Sequence, residues 1–352
     1  MASNNLILLL LVISSGIFFY KYFPIFIKKF NSKILIDDQY TKPQAFHDSP
    51  VSTAGGIGIY FLLLIVFFNF YFTKNIYHQE YISFCTLFFI LGFSDDLKIY
   101  IKPKIRLGLM ILFLIFLIIL NDFYIDKTGI EFLNNWLKDY KIFSLFFVCL
   151  CFLFVINGAN LVDGYNGLLG FHSLIIFLNL FFVNYFNQNQ DLAYLLFYTI
   201  IVLFIFLIFN FPSAKIFLGD GGSYLLGTFI ALSAIKTSLE NPQISPFYFC
   251  MLLFYLFFEV FFSFLRKLIK EKISPIHPDK KHLHMLLYKT LNKKNDKFKS
   301  NYSTTLIVNI IYLILLLPAI FMMENGLFCK YYSILFFIVY ITSYKILYEK
   351  NK

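Results

Sequence analysis

Charge is scarce in this sequence. Asp, Glu, Lys and Arg make up only 14% of the 352 residues, whereas 59% are hydrophobic. A water-soluble domain carries about 25% charged residues, so this composition suits lipid as the solvent. The five cysteines (Cys85, Cys149, Cys151, Cys250, Cys329) form no CxxC pair and lie mostly in or beside apolar runs, which indicates neither a zinc knuckle nor a disulfide framework. No HExxH pattern is present, so the familiar helical zinc site is not indicated. The opening MASNN has no basic segment before the apolar run and no convincing cleavage site, and is read as leading into a retained first span. No internal repeat and no inverted pair of Gly/Pro-broken segments marks a secondary transporter. A soluble domain is also lacking: the longest hydrophilic stretch, residues 266–303, is a basic loop within one transmembrane domain spanning residues 1–352.

What is abundant is aromatic and apolar. With 49 Phe and 25 Tyr, the composition has the look of codon bias from an A+T-rich genome, and no single aromatic is read as functional. A spanning helix needs about 20 predominantly apolar residues. Eleven candidate spans follow: Leu6–Ile27, Gly56–Phe72, Ile76–Phe93, Ile105–Leu120, Ile142–Ile156, Leu168–Phe186, Leu192–Phe211, Tyr224–Leu239, Phe247–Leu265, Thr305–Met323 and Tyr331–Leu347. The predicted fold is therefore an all-α polytopic membrane protein.

The net charge of +10 raises the question of nucleic acid, but the basic residues cluster in short segments between apolar runs. That distribution fits anionic headgroups or phosphorylated substrates, and no nucleic-acid partner is expected. It also sets orientation. With the N-terminus outside and the C-terminus cytoplasmic, the outer loops hold only Lys74, Lys127, Lys138, Lys141 and Lys330. The cytoplasmic segments then hold Lys28, Lys29, Lys33, Lys42, Lys98, Lys102, Lys104, Arg106, Lys215, the whole basic run from Arg266 to Lys299, and the C-terminal lysines.

This topology puts every unusual polar cluster on the cytoplasmic side. The first is Gly92-Phe-Ser-Asp95-Asp96-Leu-Lys98. Two adjacent carboxylates repel, which raises the pKa of one or attracts a cation. A solvated helix end is the plainer explanation for a lone acidic pair, but Lys102, Lys104 and Arg106 follow as a phosphate-binding complement. The second is Asn157-Gly-Ala-Asn160-Leu-Val-Asp163-Gly-Tyr-Asn166-Gly167. Asn157, Asn160 and Asp163 share one face if helical, and Gly164 and Gly167 allow close backbone approach to a ligand. A C-cap and turn explains an isolated Asn-Gly, but not three polar groups in register.

The third cluster, Asn210 to Ser223, carries Asp220 in a Gly-rich turn before a span. That suits Mg²⁺, which takes one or two carboxylates, waters and substrate phosphates, and the following helix N-terminus suits phosphate. N-capping by Asp220 or Ser223 is the competing explanation. The fourth, His277-Pro-Asp279-Lys280-Lys281-His282-Leu-His284, fits a diphosphate clamp better than a metal site, although an interfacial basic loop accounts for its lysines alone. A fifth segment, His47 to Gly56, reads as a turn leading into a span.

Taken together, these segments resemble the polyprenyl-phosphate N-acetylhexosamine-1-phosphate transferases (glycosyltransferase family 4). That group is related to the phospho-MurNAc-pentapeptide transferases and to the eukaryotic dolichyl-phosphate GlcNAc-1-phosphate transferase. The likeness covers about His47 to His284, with four motifs in the family's order. Departures include Gln44, Ala45 and Phe46 where an Arg is usual, Leu109 near the place of a usual Gln, and Lys280 and Met285 in the His loop.

The resemblance implies transfer of a sugar-1-phosphate from a UDP-N-acetylhexosamine to undecaprenyl phosphate. The products are undecaprenyl-diphospho-sugar and UMP, made at the cytoplasmic face of a bacterial inner membrane to initiate a cell-envelope glycan. It implies Mg²⁺, with Mn²⁺ as a substitute, and admits a homodimer surrounded by membrane lipids. Asp95 and Asp96 are expected to activate or position the lipid phosphate, and Asp163 joins them as a catalytic candidate. Asp220 is expected to be the main metal ligand, with Asn160 as a second. Asn157, Asp163 and Asn166 are expected to line the nucleotide-sugar site. Lys104 or Arg106, with Lys280, His282 and His284, are expected to hold the diphosphate. The alternatives are phospho-MurNAc-pentapeptide transfer, against which the missing three-His run counts, and a polyprenyl-lipid transporter, which would not need Asp95, Asp96 and Asp220 together.

Overall fold

A backbone in lipid must satisfy its own hydrogen bonds, and apolar runs of this length do so as helices. The computed structural model describes residues 2–29, 34–37, 50–274 and 279–352, with the side chains of 2–4 and 28 excepted. Helix α1 (Ala2–Lys29) is followed by two short antiparallel strands, β1 (Ile36–Asp37) and β2 (Val51–Ser52). Then come α2 (Gly55–Lys74), α3 (Gln79–Asp96), α4 (Pro103–Leu120), a short α5 (Glu131–Asp139) and α6 (Lys141–Val162). The series continues with α7 (Leu168–Phe186), α8 (Gln190–Asn210), α9 (Gly219–Glu240), α10 (Pro246–Leu252) and α11 (Phe254–Leu265), which runs into a π-helical turn at Arg266–Glu271. Helices α12 (Leu283–Asn292), α13 (Lys297–Phe321) and α14 (Gly326–Lys350) complete the described chain.

Among the described residues, eight helices are long and apolar enough to cross a membrane: α1, α2, α4, α6, α7, α8, α13 and α14. A ninth is added if α10 and α11, bent by 73° at Leu253, make one broken span. The expectation of eleven also counts α3 and α9, which fall short of that standard of length and apolarity. For α3 the reason is charge, since Glu80, Asp95 and Asp96 all fall within its 18 residues, and for α9 it is its place in the bundle. Helix α9 is buried at nearly every position from Gly221 to Thr237, so it meets protein rather than lipid and can carry Gly, Ser and Thr in place of Leu and Phe.

Helix α9 is the axis around which the site is built. Helix α3 runs antiparallel to it: Gly92 lies against the Asp220 carbonyl, Tyr81 and Ser233 share a 3.1 Å hydroxyl contact, and Glu80 pairs with Lys236. On another side, Gly227 packs against Ile156 and Ala159 of α6. Gly56 of α2 meets Gly222 so closely that a Cβ on Gly56 would lie 2.4 Å from the Gly222 backbone. The start of α2 is stitched to the segment before α9 by Gly55 N–H to Phe217 O (2.9 Å) and Gly56 N–H to Leu218 O (2.7 Å). The fifth segment therefore does lead into a span, and its strand Val51–Ser52 also braces the α9 entry through Phe217 N–H to Ser52 O. His47 and His277 lie outside the described residues.

Candidate active site

The end of α3, the end of α6 and the start of α9 meet at one end of the bundle, which brings the first three motifs together. Asp96, the last residue of α3, accepts from two N–H groups in the first turn of α9: Asp220 N–H to Oδ1 (3.0 Å) and Gly221 N–H to Oδ2 (2.8 Å). A helix N-terminus leaves such donors unsatisfied, and a carboxylate both satisfies them and faces the positive end of the helix dipole. The competing N-cap explanation for Asp220 or Ser223 thus has a different answer, since the cap comes from another helix. Gly219, at φ +78°, lets the chain enter α9 here; a Cβ would lie 2.6 Å from the Thr53 carbonyl and 2.8 Å from the Asp96 carboxylate.

Asp95 faces the other way and pairs with Arg106 of α4, which also meets the Tyr224 hydroxyl. Lys104 is exposed and makes no ion pair among the described residues, so Arg106 is the cation drawn into the acidic cluster. Asp220 Oδ1 accepts from Asn160 Nδ2 at 2.9 Å, and the same amide nitrogen donates to Ser223 Oγ at 3.0 Å. In this arrangement Asn160 orients the Asp220 carboxylate, and its own carbonyl oxygen is the atom left to join a coordination shell. Asp163, at the C-terminus of α6, is half-buried with no side-chain partner among the described residues. Burial, and then the charges of Asp220 and Asp96, raise its carboxyl well above the usual carboxylate range.

The donor set fits a hard divalent cation. Three carboxylates, Asp96, Asp163 and Asp220, are close enough to perturb one another, and like charges crowded in this way are relieved by a cation. Among the described residues no three Asp, Glu, His or Cys side chains form a ready ligand cage. Mg²⁺ does not require one, because it keeps several waters and borrows substrate phosphates.

Other candidates make contacts within the protein. Asn157 donates to Leu153 O at 2.7 Å within its own helix. Asn166 donates from its side chain to Pro212 O (2.8 Å), while its backbone N–H and C=O engage Asn301 and Thr305 of α13. Asn210 Oδ1 accepts from Gly167 N–H at 2.6 Å, and its Nδ2 donates to Ile216 O at 2.8 Å, tying the α6–α7 turn to the α8–α9 connection. Gly167 itself sits at φ +74° with Phe211 and Phe171 crowding its Cβ position, so its conformation serves the turn rather than the approach of a ligand.

The histidine loop arrives from the far side of the sequence. His284 is fully buried, and its Nε2 lies 3.7 Å from where a Cβ on Gly164 would sit, next to Asp163. Burial lowers this imidazole to about 4, which leaves it neutral at pH 7. The loop's charges are largely consumed in pairs: Arg266 with Glu271 (2.9 Å) and Asp279 (2.7 Å), Lys267 with Asp279 (3.1 Å), and Lys281 with Glu271 (2.7 Å). Although burial opposes it, Arg266 and His282 hold the Asp279 carboxyl far below the usual range. Lys280 is the exposed lysine of the pair expected to clamp a diphosphate. His282 is buried, its Nδ1 3.1 Å from Glu259 Oε2. Sequence reasoning passed over Glu259. The signal was a lone carboxylate inside the apolar run Phe254–Leu265, since an ionisable residue within a membrane helix is a site candidate by default.

With this geometry in hand, sequence comparison is informative. A phospho-N-acetylmuramoyl-pentapeptide-transferase of Dictyoglomus thermophilum is 31% identical over 242 residues, which cover 66% of this chain and 74% of that protein. The profile of glycosyl transferase family 4 matches residues 79–238, from the start of α3 to near the end of α9. The chain belongs to glycosyl transferase family 4. An undecaprenyl-phosphate alpha-N-acetylglucosaminyl 1-phosphate transferase of Thermotoga maritima is 28% identical to this family-4 chain over 247 residues, 70% of this chain and 71% of that protein. The protein of the same description from Escherichia coli strain K12 is 26% identical over 249 residues, 68% and 66% of the two chains. The matched region holds the acidic cluster and its supporting asparagines, and the histidine loop lies beyond the family profile.

Proposed function

We propose that this family-4 chain transfers a sugar-1-phosphate, with an N-acetylhexosamine as the sugar, from a UDP-sugar to undecaprenyl phosphate. A lipid phosphate oxygen attacks the sugar-bearing phosphorus, the P–O bond to UMP breaks, and undecaprenyl-diphospho-sugar forms. The observation that carries this reading is the meeting of Asp95, Asp96, Asn160, Asp163 and Asp220 at one end of a bundle of apolar helices. Its support is the activity by which the Thermotoga and Escherichia relatives are described.

In this proposal Asp220 is the principal Mg²⁺ ligand, with Asn160 beside it and Asp163 within electrostatic reach. When bound, the ion would neutralise charge building on the phosphate oxygens. Asp96 holds the α9 N-terminus and so fixes Asp220. Asp95 and Arg106 face the lipid phosphate, with the guanidinium as its positive partner and Asp95 as the carboxylate that positions or deprotonates it. Lys280 and the two histidines close over the nucleotide-sugar. We further propose that α3 and α9 also cross the membrane, which makes eleven crossings with the broken α10–α11 span. The Lys and Arg distribution then supports a cytoplasmic site.

The test is UMP release by purified protein given undecaprenyl phosphate, Mg²⁺ and a panel of UDP-N-acetylhexosamines. Release with one donor, abolished in Asp220→Ala, is the expected result. No UMP from any donor, or undiminished activity in Asp220→Ala, overturns it. The identity to the Dictyoglomus protein favours a second reading, transfer of phospho-MurNAc-pentapeptide, so the UDP-MurNAc-pentapeptide donor belongs in the same panel.

A further inference from the structure

Helix α11 buries a carboxylate. Glu259 is 1% exposed, inside an apolar segment where an unpaired charge is costly. Its partners come from the histidine loop. Oε2 accepts from His282 Nδ1 (3.1 Å), and Oε1 accepts from Leu283 N–H (3.0 Å), the first residue of α12. The same Oε1 lies 3.9 Å from His284 Nδ1, which contacts the Tyr255 hydroxyl at 3.2 Å. The rings of His282 and His284 stack 5.7 Å apart with an interplanar angle of 7°. One carboxylate therefore holds His282 and the N-terminus of the helix that begins after it, and His284 is set against that pair by its stacking on His282 and its contact with Tyr255.

The consequence appears at the far edge of the His284 ring. Its Nε2 is buried with no hydrogen-bond partner among the described residues, and it faces Gly164 beside Asp163. A buried ring nitrogen left without a partner is uncommon and asks for a ligand. Gly164 leaves the space beside this nitrogen open, since a Cβ there would already sit in van der Waals contact with Nε2 at 3.7 Å.

We propose that Glu259 is a positioning residue that sets the His282–His284 pair from inside the membrane helix, so that His284 Nε2 is presented across Gly164 to a polar atom of the sugar-nucleotide donor. This inference rests on the proposed donor class. The lipid phosphate is handled separately at Asp95 and Arg106, so the consequences of losing Glu259 fall on the donor.

The test uses the full-length protein in detergent with three variants: Glu259→Gln, His284→Ala and the double variant. Glu259→Gln keeps the size and one acceptor oxygen but turns an amide toward either His282 or Leu283 N–H. In this variant, the KM for the UDP-sugar rises about tenfold or more, in line with loss of a charge-assisted hydrogen bond, while the KM for undecaprenyl phosphate stays unchanged. The double variant is no worse than His284→Ala, because both changes act through one nitrogen. Hydrogen exchange at the Leu283 amide, read without any substrate, is faster in Glu259→Gln. Additive effects in the double variant, an unchanged donor KM, or equal losses for donor and lipid overturn the proposal. If wild-type protein releases no UMP with any donor, the proposed function fails, and the exchange arm still decides whether Glu259 holds the loop: unchanged protection at Leu283 overturns that too.

Discussion

Replacing Asp96 with Asn probes whether this residue acts on substrate or on the protein. Both Asp96 oxygens accept backbone N–H bonds from the first turn of α9, at 3.0 and 2.8 Å. An isosteric amide keeps one acceptor and turns an NH₂ against the other N–H. One charge-assisted bond is lost and one donor is left unsatisfied, a cost of about 2–4 kcal/mol once the lost charge at the helix N-terminus is included. Because Asp220 is the residue whose N–H is held, that cost falls on its placement. At about 1.4 kcal/mol per tenfold, kcat/KM and Mg²⁺ affinity should fall together by roughly 30- to 1000-fold. Asp95→Asn weakens a largely buried pair with Arg106, at a cost of about 1–3 kcal/mol, but leaves both bonds to the α9 N-terminus in place, so Tm should fall while Mg²⁺ stabilisation persists. The assay is Tm in detergent with and without Mg²⁺, alongside UMP release. An Asp96→Asn protein with wild-type Tm and wild-type Mg²⁺ stabilisation, but no turnover, would refute the capping argument and place Asp96 on the substrate.

Gly219→Ala should lower Tm and abolish UMP release. The left-handed backbone costs an alanine about 1–2 kcal/mol, and the added Cβ must also displace Thr53 or Asp96, which circular dichroism melting would register. Asn166→Ala removes the bond to Pro212 O and should cost about 0.5–1.5 kcal/mol of stability while leaving the donor KM within twofold, since its contacts are joints rather than site walls; a donor KM raised tenfold at unchanged Tm would restore it to the nucleotide-sugar site. In EDTA, the raised Asp163 carboxyl makes the folded state hold a proton that the unfolded chain releases at the ordinary value of 3.8. Its contribution to stability is therefore fully present below 3.8 and is lost as pH rises through the raised value. Mg²⁺ binding should release this proton, so affinity measured by calorimetry should weaken as pH falls through that window, and Asp163→Asn should flatten the dependence.

The helices were legible because lipid leaves the chain no alternative, and because Leu, Phe and Ile fill most of the exposed positions along the middle of α4 and α8. Helix α9 is harder to read, since a helix surrounded by protein is free to be polar. The residue types at the site were legible for a related reason: carboxylates and amides at the ends of apolar helices are too costly to be accidental. Their partners were not. Nothing local says that Lys281 is consumed by Glu271, that Asn166 reaches Pro212, or that Asn210 staples two turns together, because each depends on which helix ends meet. Glu259 is the instructive omission. The attention given to hydrophilic loops drew the eye away from one charge inside Phe254–Leu265, where the loop's anchor lies.

The adjacent Asp95 and Asp96 show why composition alone misjudges a pair. Read as sequence, two neighbouring carboxylates repel and share a fate. On a helix, successive residues turn by about 100°, so neighbours face different elements. Asp95 faces α4 and takes Arg106, whereas Asp96 faces the start of α9 and takes two N–H groups. Each carboxylate has a different positive partner, a guanidinium for one and a helix terminus for the other. The third carboxylate, Asp163, has neither kind of partner among the described residues, and burial, then the charges of Asp220 and Asp96, raise its proton affinity. For the Mg²⁺ proposed above, the position where charge is least compensated by protein is the position where an added cation gains most. The vicinity of Asp163 and Asp220 is thus singled out by what its neighbours have already spent.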